Sequence, residues 1–317
     1  NSLIGVNEKP PAWPEDNYSY NGDRLIRRRT IDADGMADMY GYNKDGTLSF
    51  GANKNICYDY EYTKGGRLKS KKSKGRTLLE YEYNKDGKVS SIKDAGNRKV
   101  TYKYDIAGRM KEVWNGKSRD AEYRYNKDST VSFVKLGNGI VISYDYDEDK
   151  NITGILAKNA AGNTIFNYKY EYDANGNQIE KIEGGGLTSY SYDKCQRLSR
   201  VNYPKYSEEF EYDRAGNRIK RIKDGIEEKY TYNRRNQLYK KEAGKEITDY
   251  VYDLQGNLIY EKDKEGITQY KYNDFNQTKK VIRPDGSFQR NFYDSEGLRS
   301  SIKAFYTRGL GLIAQTN

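Results

Sequence analysis

A tyrosine followed by Asp or Asn recurs along this 317-residue chain, at Tyr20, Tyr42, Tyr62, Tyr83, Tyr104, Tyr125, Tyr146, Tyr172, Tyr192, Tyr212, Tyr232, Tyr252, Tyr272 and Tyr293. At Tyr62 the following residue is Thr63, the one exception. Successive anchors lie 20 to 22 residues apart, except for 26 between Tyr146 and Tyr172. A fixed period of this length restricts the chain to an array of one small motif that buries its covered face on its neighbours.

The motif reads as a β-hairpin. Two residues before most anchors stands another Tyr, as in Tyr81-Glu82-Tyr83, Tyr102-Lys103-Tyr104 and Tyr123-Arg124-Tyr125. Residues i and i+2 of a strand share a face, so the tyrosines cover one side and the charged residue between them meets water. The anchor then enters a turn, seen in Tyr104-Asp105-Ile106-Ala107-Gly108, in Tyr212-Asp213-Arg214-Ala215-Gly216 and after Tyr83. The Asp or Asn side chain is expected to accept an amide two residues on. The fourth residue after the anchor is Gly in eight units, including Gly108, Gly176, Gly216 and Gly256, and Asn at Asn236 and Asn276. These residues suit the positive φ of a type I turn with a G1 bulge, and Ser129, Lys150 and Gln196 suit it less.

A second strand follows, with apolar pairs such as Met110 and Val113, Val131 and Val134, or Leu198 and Val201. A spacing of three is not a strand period, so it implies either a bulge or apolar residues on both faces. Asn115-Gly116, Asn138-Gly139, Asp224-Gly225, Ala243-Gly244 and Asp285-Gly286 mark a second turn. The long unit is expected to hold its extra residues as an enlarged turn near Lys158 to Asn163. Two strands per unit give about 28 strands, or roughly 135 Å of sheet at the usual spacing, which twist must curl or coil. The expected fold class is all-β, with tandem antiparallel hairpins in a continuous curled sheet. None of the five prolines lies between Glu15 and Tyr203, which suits a hydrogen-bonded ladder.

Composition narrows the function classes. The 33 tyrosines supply rings that bury well even though charged residues reach 32%. The chain has no His, which removes the commonest general base and metal ligand. Asp and Glu are plentiful, but the aspartates repeat at one turn position, where an active site needs one special unit. The expectation is therefore no catalytic residue, no cofactor and no metal. Asp145, Asp147, Glu148 and Asp149 crowd one turn, and Asp173-Ala174-Asn175-Gly176 faintly resembles an EF-hand start. No Glu completes that loop, so turn formation is the reading. The net charge of +10 includes clusters at Arg27-Arg28-Arg29 and Lys69 to Arg76. Acidic residues in neighbouring units favour solvated faces over a nucleic-acid patch. Cys57 and Cys195 lie several units apart, which argues against their pairing. No apolar run is long enough for a membrane-spanning helix. The opening residues Asn1-Ser2-Leu3-Ile4-Gly5 do not read as a signal peptide, so the stretch is expected to be internal or mature.

Tyr172-Asp173-Ala174-Asn175-Gly176-Asn177, Tyr252-Asp253-Leu254-Gln255-Gly256-Asn257-Leu258 and Tyr104-Asp105-Ile106-Ala107-Gly108-Arg109 resemble the YD repeats of RHS proteins. The resemblance runs from about Tyr18 to Ile302. Relatives of this kind include bacterial wall-associated and polymorphic toxins, the cocoon subunits of insecticidal Tc complexes, and animal teneurins. The resemblance implies a spiral β-shell, secreted from or displayed on a bacterium, whose partner is a C-terminal toxin domain or other cargo. It also implies three parts: a lead-in over 1–17, the YD array over 18–302, and the start of an RHS-associated core over 303–317. Tyr306-Thr307-Arg308-Gly309-Leu310-Gly311 looks like the entry to that core, whose autoproteolytic aspartate site would lie beyond Asn317. The step from Ser301-Ile302-Lys303 into Phe305 is short for such a protein and suggests an absent hairpin. A second reading makes the same array an adhesion module for a glycan, wall polymer or cell surface, with the rings exposed for stacking.

Overall fold

A computed structural model describes residues 17–20, 26–31, 36–53, 56–273, 275–308 and 311–316, with side chains over 38–53, 56–273 and 275–305. The anchor at Tyr20 and the cluster Arg27-Arg28-Arg29 have side chains outside the described residues. Among the described residues there are twenty-nine strands and no helix. The chain divides into two compact units, one of Tyr81–Tyr250 and one of Asn1–Glu80 with Val251–Asn317. Within each, consecutive strands pair antiparallel, so the fold is the all-β array of tandem hairpins that the repeat predicts.

The register resolves the spacing of three. Tyr125 pairs with Val131 and Arg124 with Phe133, which leaves Ser132 as an extra residue. The same shift sets Tyr104 against Met110 and Tyr102 against Val113, and sets Tyr192 against Leu198 and Tyr190 against Val201. A β-bulge after each turn thus returns both apolar residues to the tyrosine face. The units of Tyr104, Tyr125 and Tyr192 each present two Tyr–apolar cross-strand pairs there, a favourable combination on a pleated surface. Some units replace the second apolar residue with a charge. Lys71 pairs with Tyr60, Lys181 with Tyr170, and Lys241 with Tyr230. The stems of these long side chains lie against rings while their heads find carboxylates.

The reading of an enlarged turn near Lys158 to Asn163 is corrected. That turn is an ordinary one, closed by Asn159 N–H to Asn163 O at 2.9 Å and Gly162 N–H to Asn159 O at 2.9 Å. The extra residues lengthen the strands Ile152–Lys158 and Thr164–Tyr172 instead, to seven and nine residues. Strand pairing gives each added residue a ladder partner, which a longer loop would not. At the far end, Arg299–Arg308 is one strand that pairs with Phe288–Tyr293 and with Gly311–Thr316.

Candidate functional site

The repeated site is the turn, and its Asp sets the geometry. In the unit after Tyr104, Asp105 N–H donates to Arg109 O and Gly108 N–H to Asp105 O, both at 2.9 Å. Gly108 has φ +76°, as the G1 bulge requires. The Asp105 carboxylate accepts the Arg109 amide at 2.9 Å and the Arg109 Nε at 2.7 Å. Asp173 holds Asn177 in the same manner, through its amide and its Nδ2, and so do Asp213 with Asn217 and Asp253 with Asn257. The expected bond two residues on is also present, as at Asn175 N–H to Asp173 Oδ1. The bond four residues on was not anticipated. These donors hold the Asp105, Asp173 and Asp213 carboxylates below the usual range, led by the Arg109 amide at Asp105 and by the Asn177 and Asn217 side chains at Asp173 and Asp213. Asp147 is held by Asn151 in the same way, so the acidic turn there is a turn of the common kind.

Gly176, Gly216 and Gly256 lie at φ +81°, +88° and +94°. The non-glycine residues at this position, Ser129, Lys150, Gln196, Asn236 and Asn276, also take positive φ, and for all but Lys150 a side-chain bond shows why they are tolerated. Arg109 of the preceding unit donates to Ser129 Oγ at 3.0 Å, Asn217 to Asn236 Oδ1 at 3.1 Å, and Asn257 to Asn276 Oδ1 at 3.0 Å. Asn177 donates likewise to Gln196. Each bond joins one unit to the next and offsets the cost of the left-handed backbone. A signal existed in the sequence: Asn177, Asn217 and Asn257 each precede such an acceptor by nineteen residues.

The anchors couple the units further. The hydroxyls of Tyr104, Tyr125, Tyr146, Tyr172, Tyr192, Tyr212, Tyr232, Tyr272 and Tyr293 each donate to a main-chain carbonyl of the unit before. The acceptor is in each case the first residue after the preceding turn, for example Leu198 O for Tyr212 at 2.8 Å. The bulge there turns that carbonyl away from the ladder, and the hydroxyl satisfies it. This explains why those nine anchors are Tyr and not Phe. The described anchor rings, Tyr83 and Tyr252 included, are half-buried, and burial raises the hydroxyl pKa of most of them, Tyr104 and Tyr172 among them. Arg109 and Arg197 also stack over the next anchors, 4.4 Å from the Tyr125 ring and 4.8 Å from that of Tyr212.

One turn departs from the pattern. In Asp294-Ser295-Glu296-Gly297-Leu298, the fifth residue is Leu and has no donor for the second carboxylate oxygen. Asp294 Oδ1 still accepts the amides of Glu296 and Leu298, at 3.0 and 2.9 Å. Its Oδ2 accepts the Tyr58 hydroxyl at 2.9 Å. Tyr40 donates to Ser295 O at 2.9 Å, and Asn53 Nδ2 bridges Tyr293 O and Asp38 Oδ1 at 3.1 Å each. Tyr60 donates to Glu296, which Lys71 also pairs with while its ammonium sits 3.7 Å over the Tyr58 ring. Asp294 is only 5% exposed and Tyr58 7%. Burial first, and then the bond to Asp294, push the Tyr58 hydroxyl up to about 12. Both carboxylate oxygens of Asp294 and of Glu296 are occupied, so the cluster is built to hold strands together. Among the described residues, no group of three or more His, Cys, Asp or Glu side chains could hold a metal ion. Cys57 and Cys195 are free thiols.

Tandem hairpins, an Asp-held turn at positive φ and a Tyr hydroxyl tied to the unit before define a YD-repeat β-sheet fold. The model of the teneurin YD-shell family matches residues 53–161, and the chain is similar to RHS/YD-repeat β-shell proteins. The fold is similar to that of the crystal structure of TcdB2-TccC3-Cdc42, with a TM-score of 0.65 and 12% identity, over 92% of this chain and 20% of that one. TcdB2-TccC3-TEV is similar at a TM-score of 0.58 and 12% identity, over 90% of this chain and 20% of that one. TcdB2-TccC3 without its hypervariable C-terminal region matches at 0.55 and 13% identity, over 93% and 20%. At these identities the likeness is one of fold, and this chain spans 20% of the length of the chains it matches. No curated protein matches the chain in sequence.

Proposed function

We propose that this chain is a non-enzymatic wall segment of a secreted bacterial shell that encloses or presents a cargo, with a C-terminal toxin domain of the same protein as that cargo. The observation that carries this reading is the contact of the Asp294 turn with Tyr40, Tyr58 and Tyr60. Residues 236 positions apart meet through a buried hydrogen bond, so two stretches of the array far apart in sequence pack together in one unit. Such packing suits a wall, whereas an open adhesive ribbon leaves its rings exposed. The half-buried, hydrogen-bonded anchors favour the wall over the adhesion module. The likeness to TccC3-containing complexes, one of them solved without a hypervariable C-terminal region, supports the same reading. The test is electron microscopy of the full-length protein together with protease digestion. A hollow particle that protects its C-terminal domain is expected. A solid rod, or a C-terminal domain cut as fast as the free domain, overturns the proposal.

A further inference from the structure

The sheet is stepped, because strands overhang the hairpins that follow them. Gly186–Tyr192 pairs with the next strand only from Ser189 onward, and Gly266–Tyr272 only from Gln269. Both of these overhangs are covered by a proline. A β-carbon at Gly186 would lie 3.1 Å from Pro204 Cγ, and one at Gly266 would lie 2.8 Å from Pro284 Cβ. Proline on an edge is a common guard against strand addition.

The strand Thr164–Tyr172 has the longer overhang and no such guard. It pairs with Gly154–Lys158 along Thr164–Lys169, but with the strand after it only from Lys169 to Tyr172. Thr164–Tyr168 thus has a strand on one side alone among the described residues. The hairpin that stops short turns at Gly184-Gly185, where an added β-carbon would meet nothing within 4 Å. A cleft of about 510 Å³ fills the step. On one face it is bordered by Ile165 and Ile182, which are 50% and 43% exposed. On the other face lie Phe166 and Tyr168, stacked 5.0 Å apart.

We propose that this step is a binding site for an extended peptide, which adds as a strand along Thr164–Tyr168. A one-sided strand edge demands backbone donors and acceptors at strand spacing, and only another extended chain supplies them in series. The apolar borders on both faces select a partner with β-branched or aromatic residues at successive positions. The site is independent of what the shell encloses.

The test uses the whole chain and a fluorescein-labelled, capped peptide Val-Thr-Val-Tyr-Val, followed by polarisation and hydrogen exchange. Saturable binding with slowed exchange confined to residues 164–168 and the Gly184-Gly185 turn is expected. The same peptide N-methylated at alternate residues keeps its side chains but loses its donors, and should bind about tenfold or more weakly. Ile165→Lys and Gly185→Lys are both exposed changes, and each should reduce binding by a similar factor with an unchanged melt. Equal binding of the N-methylated peptide, protection elsewhere, or no saturable binding overturns the proposal. So does a concentration-dependent dimer, without peptide, that Ile165→Lys abolishes, because the occupant would then be a second copy.

Discussion

The Tyr58 hydroxyl donates to Asp294 Oδ2 at 2.9 Å across 236 residues of sequence, inside a buried cluster. Tyr58→Phe leaves one carboxylate oxygen buried without its donor, so it should cost about 1–3 kcal/mol. The neighbouring Ser295 Oγ is buried with no partner, so Ser295→Ala should be neutral or stabilising by up to about 1 kcal/mol. Denaturant melts of both variants check the contrast, and equal losses would count against the latch.

The latch should fail in alkali. The Tyr58 pKa is raised to about 12, above its ordinary value of 10.0, so its contribution is complete below pH 10 and lost as pH rises through 12. In acid the weak points lie in the unit Tyr81–Tyr250. Burial pushes the Glu228 pKa up, but hydrogen bonds from Tyr230, Lys241 and Arg221 outweigh it and hold it at about 2. Its contribution is present above the ordinary value of 4.5 and is lost as pH falls through 2. Glu228→Gln should flatten the acid limb of a stability-against-pH curve, and pH-resolved denaturant melts check this.

At the turn position that needs positive φ, Lys150 lies at +67° and Asn236 at +58°. Asn236 receives the Asn217 side chain. Lys150 has no such bond to the preceding unit. Lys150→Gly should therefore stabilise by about 0.5–1 kcal/mol. In Asn236→Gly the same backbone gain is offset by the lost bond, and the net change should be near zero. Thermal melts of the two variants side by side check this.

Tyr212→Phe keeps the ring and removes the donor to Leu198 O, so it should cost about 0.5–1.5 kcal/mol. Tyr125→Phe, several units away, should add to it almost without coupling. A double variant whose urea midpoint falls clearly more or less than the sum would mean that anchors do not act unit by unit.

Much of this architecture is legible from local chemistry. The Tyr-x-Tyr alternation places Glu171 outward and Tyr170 and Tyr172 together, and the Asp-x-x-Gly turn places Gly176 at positive φ, because each depends only on residues within one hairpin. The spacing between Val131 and Val134 was ambiguous until the register set Tyr125 and Tyr123 opposite them. Register is a property of two strands, and periodicity in one cannot supply it.

By itself, then, the sequence determined the unit: two strands, an Asp-held turn, a tyrosine face and a wet face. Tertiary structure alone decided how units are joined and where they depart from the pattern. The carbonyl that each anchor hydroxyl meets, the Asp294 turn seated on Tyr58, and the open step beside Gly184 all depend on groups brought close by folding. A repeat gives each unit the same local energies, so only long-range contacts can make one unit differ from the next.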